Sequence, residues 1–328
     1  MATGIVDTAS EQAGFHALAM GFLWLNMAQF VALWVLTLWR IALHSDAVWA
    51  DLTGHQTAPG FFTMVAGSCV LGGELISVTR AYALGFAMWG MGVALWIGLM
   101  YFVFTMLTVK EEKPSLRRGI NGGWLLAVVA NQAVAALSAA LANHLPQPYR
   151  LHLNFLALSM WLCGGMLYTW MMSLIFYRYT FFRMAPGDLS PPYWINMGAM
   201  AISTLVGARL IENAPDAWFL ESLLPFLKGF TIYYWSTGTW WIPMLVILGV
   251  WRHGYQRFPL TYDPLYWGLV FPLGMYTAAT FEMAGAMDLG FLLPLPHVFI
   301  YAALTAWALT FWGMLNSLFR FVRTAVAD

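Results

Sequence analysis

Residues 124–142 have the sequence WLLAVVANQAVAALSAALA, a run without one charged side chain. A helix needs about 20 mostly apolar residues to cross the hydrocarbon core of a bilayer. Similar apolar runs lie on both sides of this one along nearly the whole chain. The sequence therefore predicts an all-α membrane protein that crosses the bilayer many times.

Composition supports a membrane location and excludes several other classes. Of 328 residues, 61% are hydrophobic and only 9% are charged, whereas a soluble domain has about 25% charged residues. The net charge of +0 gives no basic patch for nucleic acid. Cys69 and Cys163 lie in apolar stretches without CxxC spacing, which predicts packing residues rather than a metal site. We expect no metal and no cofactor.

Proline and glycine divide the chain into nine segments long enough to be complete spans. Residues 1–10 resemble the last turns of one further helix, which we number span one, so that the first of ten transmembrane helices is truncated. We expect that a reading frame begun upstream would complete it. The whole chain, 1–328, is then one transmembrane transport domain. Spans two to ten are expected at 15–43, 60–82, 84–108, 121–143, 151–178, 192–213, 222–251, 264–287 and 297–319.

Basic residues predict the orientation of these spans. The positive-inside rule places loops rich in lysine and arginine in the cytoplasm. Eleven of the fifteen basic residues follow even-numbered spans, so those loops and both termini are expected to be cytoplasmic at the plasma or inner membrane. The eleven are Arg40, Lys110, Lys113, Arg117, Arg118, Arg178, Arg183, Arg252, Arg257, Arg320 and Arg323.

Odd and even spans differ in composition. Even spans hold thirteen of the eighteen tryptophans, whereas odd spans contain small-residue stretches such as AGSCVLGG at 66–73 and NMGAMAISTLVGA at 196–208. Bulky aromatic residues suit lipid contact, and small residues either permit close helix packing or leave a lumen. Each complete odd span also begins with an aromatic residue after a proline or glycine. This repeat favours five helical hairpins around a central pore.

Two longer motifs resemble a known family. PPYWINMGA at 191–199 and WGLVFPLGMY at 267–276 are similar to signatures of the tellurite-resistance and dicarboxylate transporters, a family that includes the plant guard-cell slow anion channels. VKEEKPS at 109–115 and INGGW at 120–124 resemble a prokaryotic branch of it. The likeness extends along essentially the whole chain. It implies five hairpins, a pore lined by the odd helices, and a homotrimer with one pore in each protomer.

The resemblance also implies a gate. The family's pore-blocking phenylalanine lies just before the proline of the ninth helix, which here is Phe271. Pro272 cannot donate a hydrogen bond to the carbonyl of Gly268, so span nine is expected to kink between Gly268 and Gly274. The alternative is that Phe271 is a packing residue in a kinked helix.

Polar and small residues of the odd spans are the remaining candidates. Gly67, Asn131, Asn196 and Gly198 are predicted to line the pore, although the two asparagines could instead bond across helices. Ionisable groups inside spans are functional candidates, and three such groups are expected in an outer vestibule. In the alternative interpretation, Arg209 pairs with Glu212 or Glu282 at the interface. The three are Glu74, Arg209 and Glu282.

These observations predict transport rather than catalysis. The seven histidines lie at span ends or in loops, without an HxxH or HExxH pattern inside a span. We expect an anion channel or transporter for small anions. The alternative is a proton-coupled carrier for four-carbon dicarboxylates or an exporter of tellurite or sulfite.

Overall fold

The computed structural model describes residues 1–325, which form an almost entirely helical chain. Short turns and short helices, such as Ser45–Leu52 and Trp218–Ser222, connect ten longer helices. The ten are α1 (Ala2–Gln12), α2 (His16–Leu43), α3 (Phe62–Thr79), α4 (Tyr82–Val109), α5 (Leu126–Ala142), α6 (Tyr149–Phe181), α7 (Ile195–Glu212), α8 (Leu224–Val250), α9 (Trp267–Ala286) and α10 (Pro294–Ala325).

Seven of these helices are long and apolar enough to cross a membrane, namely α2 to α7 and α10. The protein is therefore a multi-pass, all-helical membrane protein over the described residues. Helices α8 and α9 occupy predicted spans but are not among the seven. Each contains an internal proline, Pro243 and Pro272, and α8 is rich in tryptophan and tyrosine, which lower the mean hydropathy. Ten crossings are thus a proposal rather than an observation.

Five helices contact one another in a closed ring. Going round, α1 packs against α3, α3 against α5, α5 against α7, α7 against α9, and α9 against α1. We call these five the inner helices. Each of the other five packs against the inner helix before it and the inner helix after it along the chain, with α10 bridging α9 and α1. These outer helices form a second layer around the ring.

Burial follows the two layers. In the most apolar 18 residues of α5, 94% of the residues are buried. The corresponding fraction in the neighbouring outer helix α4 is 22%. Outer helices expose large apolar side chains such as Trp24, Trp170 and Trp312. Large apolar side chains are not exposed to water in such numbers, so we assign the outer layer to the surface that contacts lipid.

Four inner helices begin at the same end of the bundle. Short 3₁₀ turns start α3, α5, α7 and α9, and these turns contact one another in that order. Three of them carry a proline at or next to their first residue: Pro59, Pro191 and Pro264. Proline suits this position because the first helical N–H groups have no partner inside the helix. We call this end the start end and the opposite end the finish end.

Tryptophans of the outer helices also reach inward. Four outer helices donate an indole N–H to a polar atom of an inner helix: Trp89 and Trp96 of α4 to α5, Trp161 of α6 to α7, Trp235 of α8 to α9, and Trp307 of α10 to α1. The excess of tryptophan in even spans, interpreted from sequence as a lipid preference, therefore also ties the two layers together.

Candidate functional site

Helical spacing and the neighbours of α9 indicate that Phe271 faces the axis of the ring. Successive residues of an α-helix turn by about 100°, so Thr280 lies about 180° from Phe271 around α9. Thr280 accepts a hydrogen bond from Trp235 of the outer helix α8. Pro272 packs on α7 and Gly274 on α1, the two inner neighbours of α9. The remaining direction is the axis, and there the phenyl ring is fully buried.

The residues around Pro272 hold α7 and α9 unusually close together. A Cβ atom added at Gly198 of α7 would lie 2.7 Å from Cγ and 3.1 Å from Cα of Pro272. A Cβ added at Gly274 would meet Ile5 and Val6 of α1 at 3.0 and 3.1 Å. Gly268 similarly abuts Pro192 at the start of α7. Gly198, predicted as a lining residue, is thus placed in the contact between two inner helices beside Phe271.

A methyl group at Gly198 should therefore disrupt the ring. We expect Gly198→Ala to destabilise the protein by about 1–3 kcal/mol, the usual cost of overpacking. Gly90→Ala in α4 is the matched control, because no atom lies within 4 Å of a Cβ there. The fraction of purified protein that remains in the folded elution peak after heating measures both. Equal heat resistance of the two variants would contradict the close contact.

The two asparagines predicted to line a pore bond to outer helices. Asn131 of α5 accepts a hydrogen bond from Trp96 at 3.0 Å and donates to the carbonyl of Met160. Asn196 of α7 donates to the hydroxyl of Tyr179 at 3.1 Å. Both amides therefore form hydrogen bonds across helices, which was the alternative to lining a pore. The structure does not place them on the axis. At Gly67 of α3 the nearest atom to an added Cβ is 4.0 Å away, which leaves space beside the helix.

Arg209 and Glu282 meet at the finish end in a bidentate ion pair. Nε and Nη2 of Arg209 donate to the two carboxylate oxygens of Glu282 at 2.9 and 2.8 Å. Nη1 of Arg209 donates to the carbonyl of Ala136 on α5 at 3.2 Å, and Gln12 of α1 donates to Glu282 at 3.2 Å. Among the residues described, this is the one ion pair that joins two inner helices.

Glu74, the third residue expected in an outer vestibule, is placed elsewhere. Its side chain is fully buried. It accepts a hydrogen bond from Asn26 of α2 at 2.8 Å, and its other oxygen lies against Gly4 of α1. The structure therefore brings Arg209 and Glu282 together but keeps Glu74 apart from them, between α1, α2 and α3.

Four basic and two acidic residues lie in the loop 109–120 at the start end of the ring. Lys110 donates to the carbonyl of Thr53, and the nearby Lys113 is exposed. His55 lies between α2 and α3, and its carbonyl accepts from Trp124. Burial disfavours its imidazolium, and Lys110 and Lys113 repel it, so the pKa of His55 is lowered. His55 is therefore neutral at pH 7, and the lysines and arginines supply the charge.

The sequence profile of one protein family, described as voltage-dependent anion channels, matches residues 1–315. The chain belongs to this family. An uncharacterized transporter of Methanocaldococcus jannaschii is 25% identical over 265 residues, which are 80% of this chain and 73% of the transporter. A second uncharacterized transporter of the same organism is 26% identical over 76% of this chain and 70% of its own length.

A shorter relative is more similar in sequence. An uncharacterized membrane protein of Mycobacterium tuberculosis is 37% identical over 154 residues, which cover 46% of this chain and 77% of that protein. Membership of the voltage-dependent anion channel family agrees with the family resemblance of the motifs at 191–199 and 267–276. It also makes this chain a membrane anion channel or transporter.

Some residues of this family member were not predicted as important from sequence. Arg178 was counted only as a cytoplasmic charge, yet it is buried and donates to the carbonyl of Ile120 and to Tyr193 Oη at 2.5 and 2.6 Å. Asp7 of α1 is fully buried, and no described residue donates to its carboxylate. An ionisable residue in an apolar helix was the available signal for Asp7. For Arg178, the sequence showed only a basic residue at the end of a span, which does not distinguish a buried arginine from an exposed one.

Proposed function

We propose that this protein conducts small anions across a cell membrane along the axis of the inner ring, and that Phe271 closes this path. The position of Phe271 carries the proposal. Its ring is fully buried on the axis-facing side of α9, one residue before an internal proline. A hydrophobic constriction of this kind stops ions because it excludes water. Two open grooves lie on the outer faces of α4 and α8, away from that axis.

The direction of the inner helices supports anions as the permeating species. Helices α3, α5, α7 and α9 begin at the start end, and the N-terminus of a helix carries about +0.5 elementary charge. Four such ends around one mouth attract anions without a lysine inside the ring. The exposed basic residues Lys113, Arg117 and Arg118 lie at the same end and add to this field.

The membrane arrangement is part of the same proposal. The protein crosses the plasma or inner membrane in ten helices, the first of them truncated, with both termini and the loop 109–120 in the cytoplasm. Basic residues in the loops after the outer helices support this orientation. The protein forms a homotrimer with one path in each protomer, as the family resemblance implies. Apolar side chains exposed on the outer helices offer a surface to lipid and to neighbouring copies.

Cysteine labelling tests the orientation. Cys69 and Cys163 are first replaced by alanine, and single cysteines are then placed at Ser115 and at Gln147. We expect an impermeant thiol reagent added to intact cells to label the cysteine at 147 and to miss the cysteine at 115. Labelling in permeabilised cells controls for access to both. Labelling at 115 in intact cells would reverse the orientation and move the start end to the outside.

Flux through reconstituted protein tests the function. Proteoliposomes with the purified protein are expected to exchange internal formate or chloride for external chloride faster than liposomes with heat-denatured protein, and to retain potassium. Release of potassium at the same rate, or no anion exchange by either the wild-type or the Phe271→Ala protein, would contradict anion conduction.

A proton-coupled carrier is the second candidate, because one observation favours it. Asp7 and Glu74 are fully buried carboxyl groups near one another, and neither forms an ion pair with a lysine or arginine among the residues described. Buried carboxyl groups in a membrane protein are suited to carry protons. Both lie between α1, α2 and α3 rather than with Phe271, which is why the channel is preferred.

A further inference from the structure

We propose that Arg209 is an oxyanion-binding site at the finish end of the path, and that the carboxylate of Glu282 holds this site as an internal substitute for the permeating anion. The inference rests on the proposed function and deepens it, because it names carboxylate-type oxyanions as the substrate class. It also adds a second closed point to the path. Glu282 lies 11 residues beyond Phe271, which is about 16 Å along α9 at 1.5 Å per residue.

The ion pair lies inside the ring. Its two residues come from α7 and α9, and it contacts the carbonyl of Ala136 on α5 and the amide of Gln12 on α1. Helices α1 and α5 are not neighbours, since α3 stands between them on one side and α7 and α9 on the other. A single group of side chains reaches both only from within the ring. Glu282 also lies about 20° from Phe271 around α9, which is the axis-facing side.

The geometry of the pair is that of a receptor for two oxygens. Three donors converge on the Glu282 carboxylate: Nε and Nη2 of Arg209 at 2.9 and 2.8 Å, and Nε2 of Gln12 at 3.2 Å. The planar guanidinium binds the two oxygens of a carboxylate side by side, and these charge-assisted bonds are strong. A permeating carboxylate that displaces Glu282 meets the same three donors.

Displacement of Glu282 sets the selectivity of the path. An arriving oxyanion replaces both hydrogen bonds of the guanidinium fork, so the exchange leaves Arg209 satisfied, while the displaced Glu282 carboxylate, which is 15% exposed, turns to water at the finish end. Chloride is a single sphere and cannot occupy both positions of the fork in the same way. The Glu282 and Arg209 side chains are only 15% and 21% exposed, so an unpaired arginine there is costly. The path therefore favours oxyanions over chloride.

Relative permeability is the property to measure. Planar-bilayer currents with formate on one side and chloride on the other give a formate-to-chloride permeability ratio. All variants are made in protein that also carries Phe271→Ala, because the path is then expected to be open at Phe271. In this background Arg209→Lys keeps the positive charge but loses the fork. We expect its permeability ratio to fall by about tenfold, the factor that corresponds to 1.4 kcal/mol.

Glu282→Gln tests the same site by changing the other partner of the ion pair. The amide keeps the size of the side chain but no longer competes as a carboxylate, so the formate current and the permeability ratio should both rise. Arg150→Lys and Asp216→Asn are matched controls. Arg150 in the first turn of the outer helix α6 and Asp216 in the short turn after α7 form an ion pair 3.0 Å long at the finish end. Their ratios should equal that of the background protein.

The outcomes separate this inference from the proposed function. Absence of anion current from both the wild-type and the Phe271→Ala protein would overturn the proposed function. Anion currents whose permeability ratio is unchanged by Arg209→Lys and by Glu282→Gln would overturn the oxyanion site alone. Size-exclusion profiles verify that each variant is folded. If Arg209→Lys does not fold, the double variant Arg209→Glu with Glu282→Arg returns a guanidinium to the same place. A formate-to-chloride permeability ratio near one in this double variant would contradict the site.

Discussion

Replacing Phe271 with alanine is expected to raise anion flux by about tenfold or more, which corresponds to a barrier lowered by at least about 1.4 kcal/mol. The phenyl ring is fully buried, and helical spacing indicates that it faces the axis of the ring. Its removal opens space there and ends the exclusion of water from the constriction. Flux of formate into proteoliposomes, divided by the amount of folded protein in them, measures the effect.

A second buried phenylalanine supplies the control for this variant. Phe62 of α3 is 1% exposed and packs on Phe104 of the outer helix α4, with 6.1 Å between ring centroids. Phe62→Ala should lower the stability by about 3–5 kcal/mol, as cavities in protein interiors do, without raising the flux per folded protein. If Phe271→Ala behaves in the same way, Phe271 is a packing residue and the gate assignment is wrong.

The second large effect concerns stability and Arg178. Arg178 near the end of α6 donates to the carbonyl of Ile120 and to the hydroxyl of Tyr193, and lies 3.4 Å from Asp188. These contacts join the beginnings of α5 and α7 at the start end. Arg178→Met keeps much of the side-chain volume but removes the donor to the Ile120 carbonyl and the Tyr193 hydroxyl, and the ion-pair partner of Asp188. We expect a loss of about 3–5 kcal/mol, the usual cost of breaking a buried charged contact.

Heat resistance of the purified protein measures this loss. Arg183 is an exposed arginine a few residues further along the chain, so Arg183→Met removes the same charge without a buried contact. The Arg183 variant should resemble the wild type, and the Arg178 variant should leave the folded elution peak at a markedly lower temperature. Similar curves for the two variants would show that Arg178 contributes only as a surface charge.

The helices were predictable from sequence because the bilayer imposes a strong length and polarity requirement. Span two was expected at 15–43 and is His16–Leu43, and span eight was expected at 222–251 and is Leu224–Val250. The largest difference is at α10, expected at 297–319 and observed at Pro294–Ala325. Pro294 was interpreted as part of a break, whereas proline is stable in the first turn of a helix. The short helix Ser45–Leu52 was not predicted.

Side-chain directions were less predictable than helices. A lumen and a helix–helix contact both select small and polar residues, so composition could not distinguish the two for Asn131, Asn196 or Gly198. Their surroundings depend on how each helix is rotated within the ring. The partner of Arg209 was similarly open between Glu212, three residues away, and Glu282, 73 residues away. Only the contact between α7 and α9 selects Glu282.

The gate role of Phe271 stays a prediction, and it has a different source. The family resemblance placed a pore-blocking phenylalanine immediately before the proline of the ninth helix. Pro272 itself follows from the sequence, since any proline inside a helix removes one backbone hydrogen bond. The direction of the Phe271 ring required the neighbours of α9, above all the bond from Trp235 to Thr280 on its opposite face.

The current through single Phe271→Ala protein molecules in a planar bilayer tests the central claim most directly. With one anion replaced by another and the pH changed on one side only, we predict a linear current that reverses at the equilibrium potential of the anions and does not depend on the proton gradient. Wild-type protein should give a much smaller current under the same conditions. A current that follows the proton gradient, or equal currents from the two proteins, would contradict an anion channel gated by Phe271.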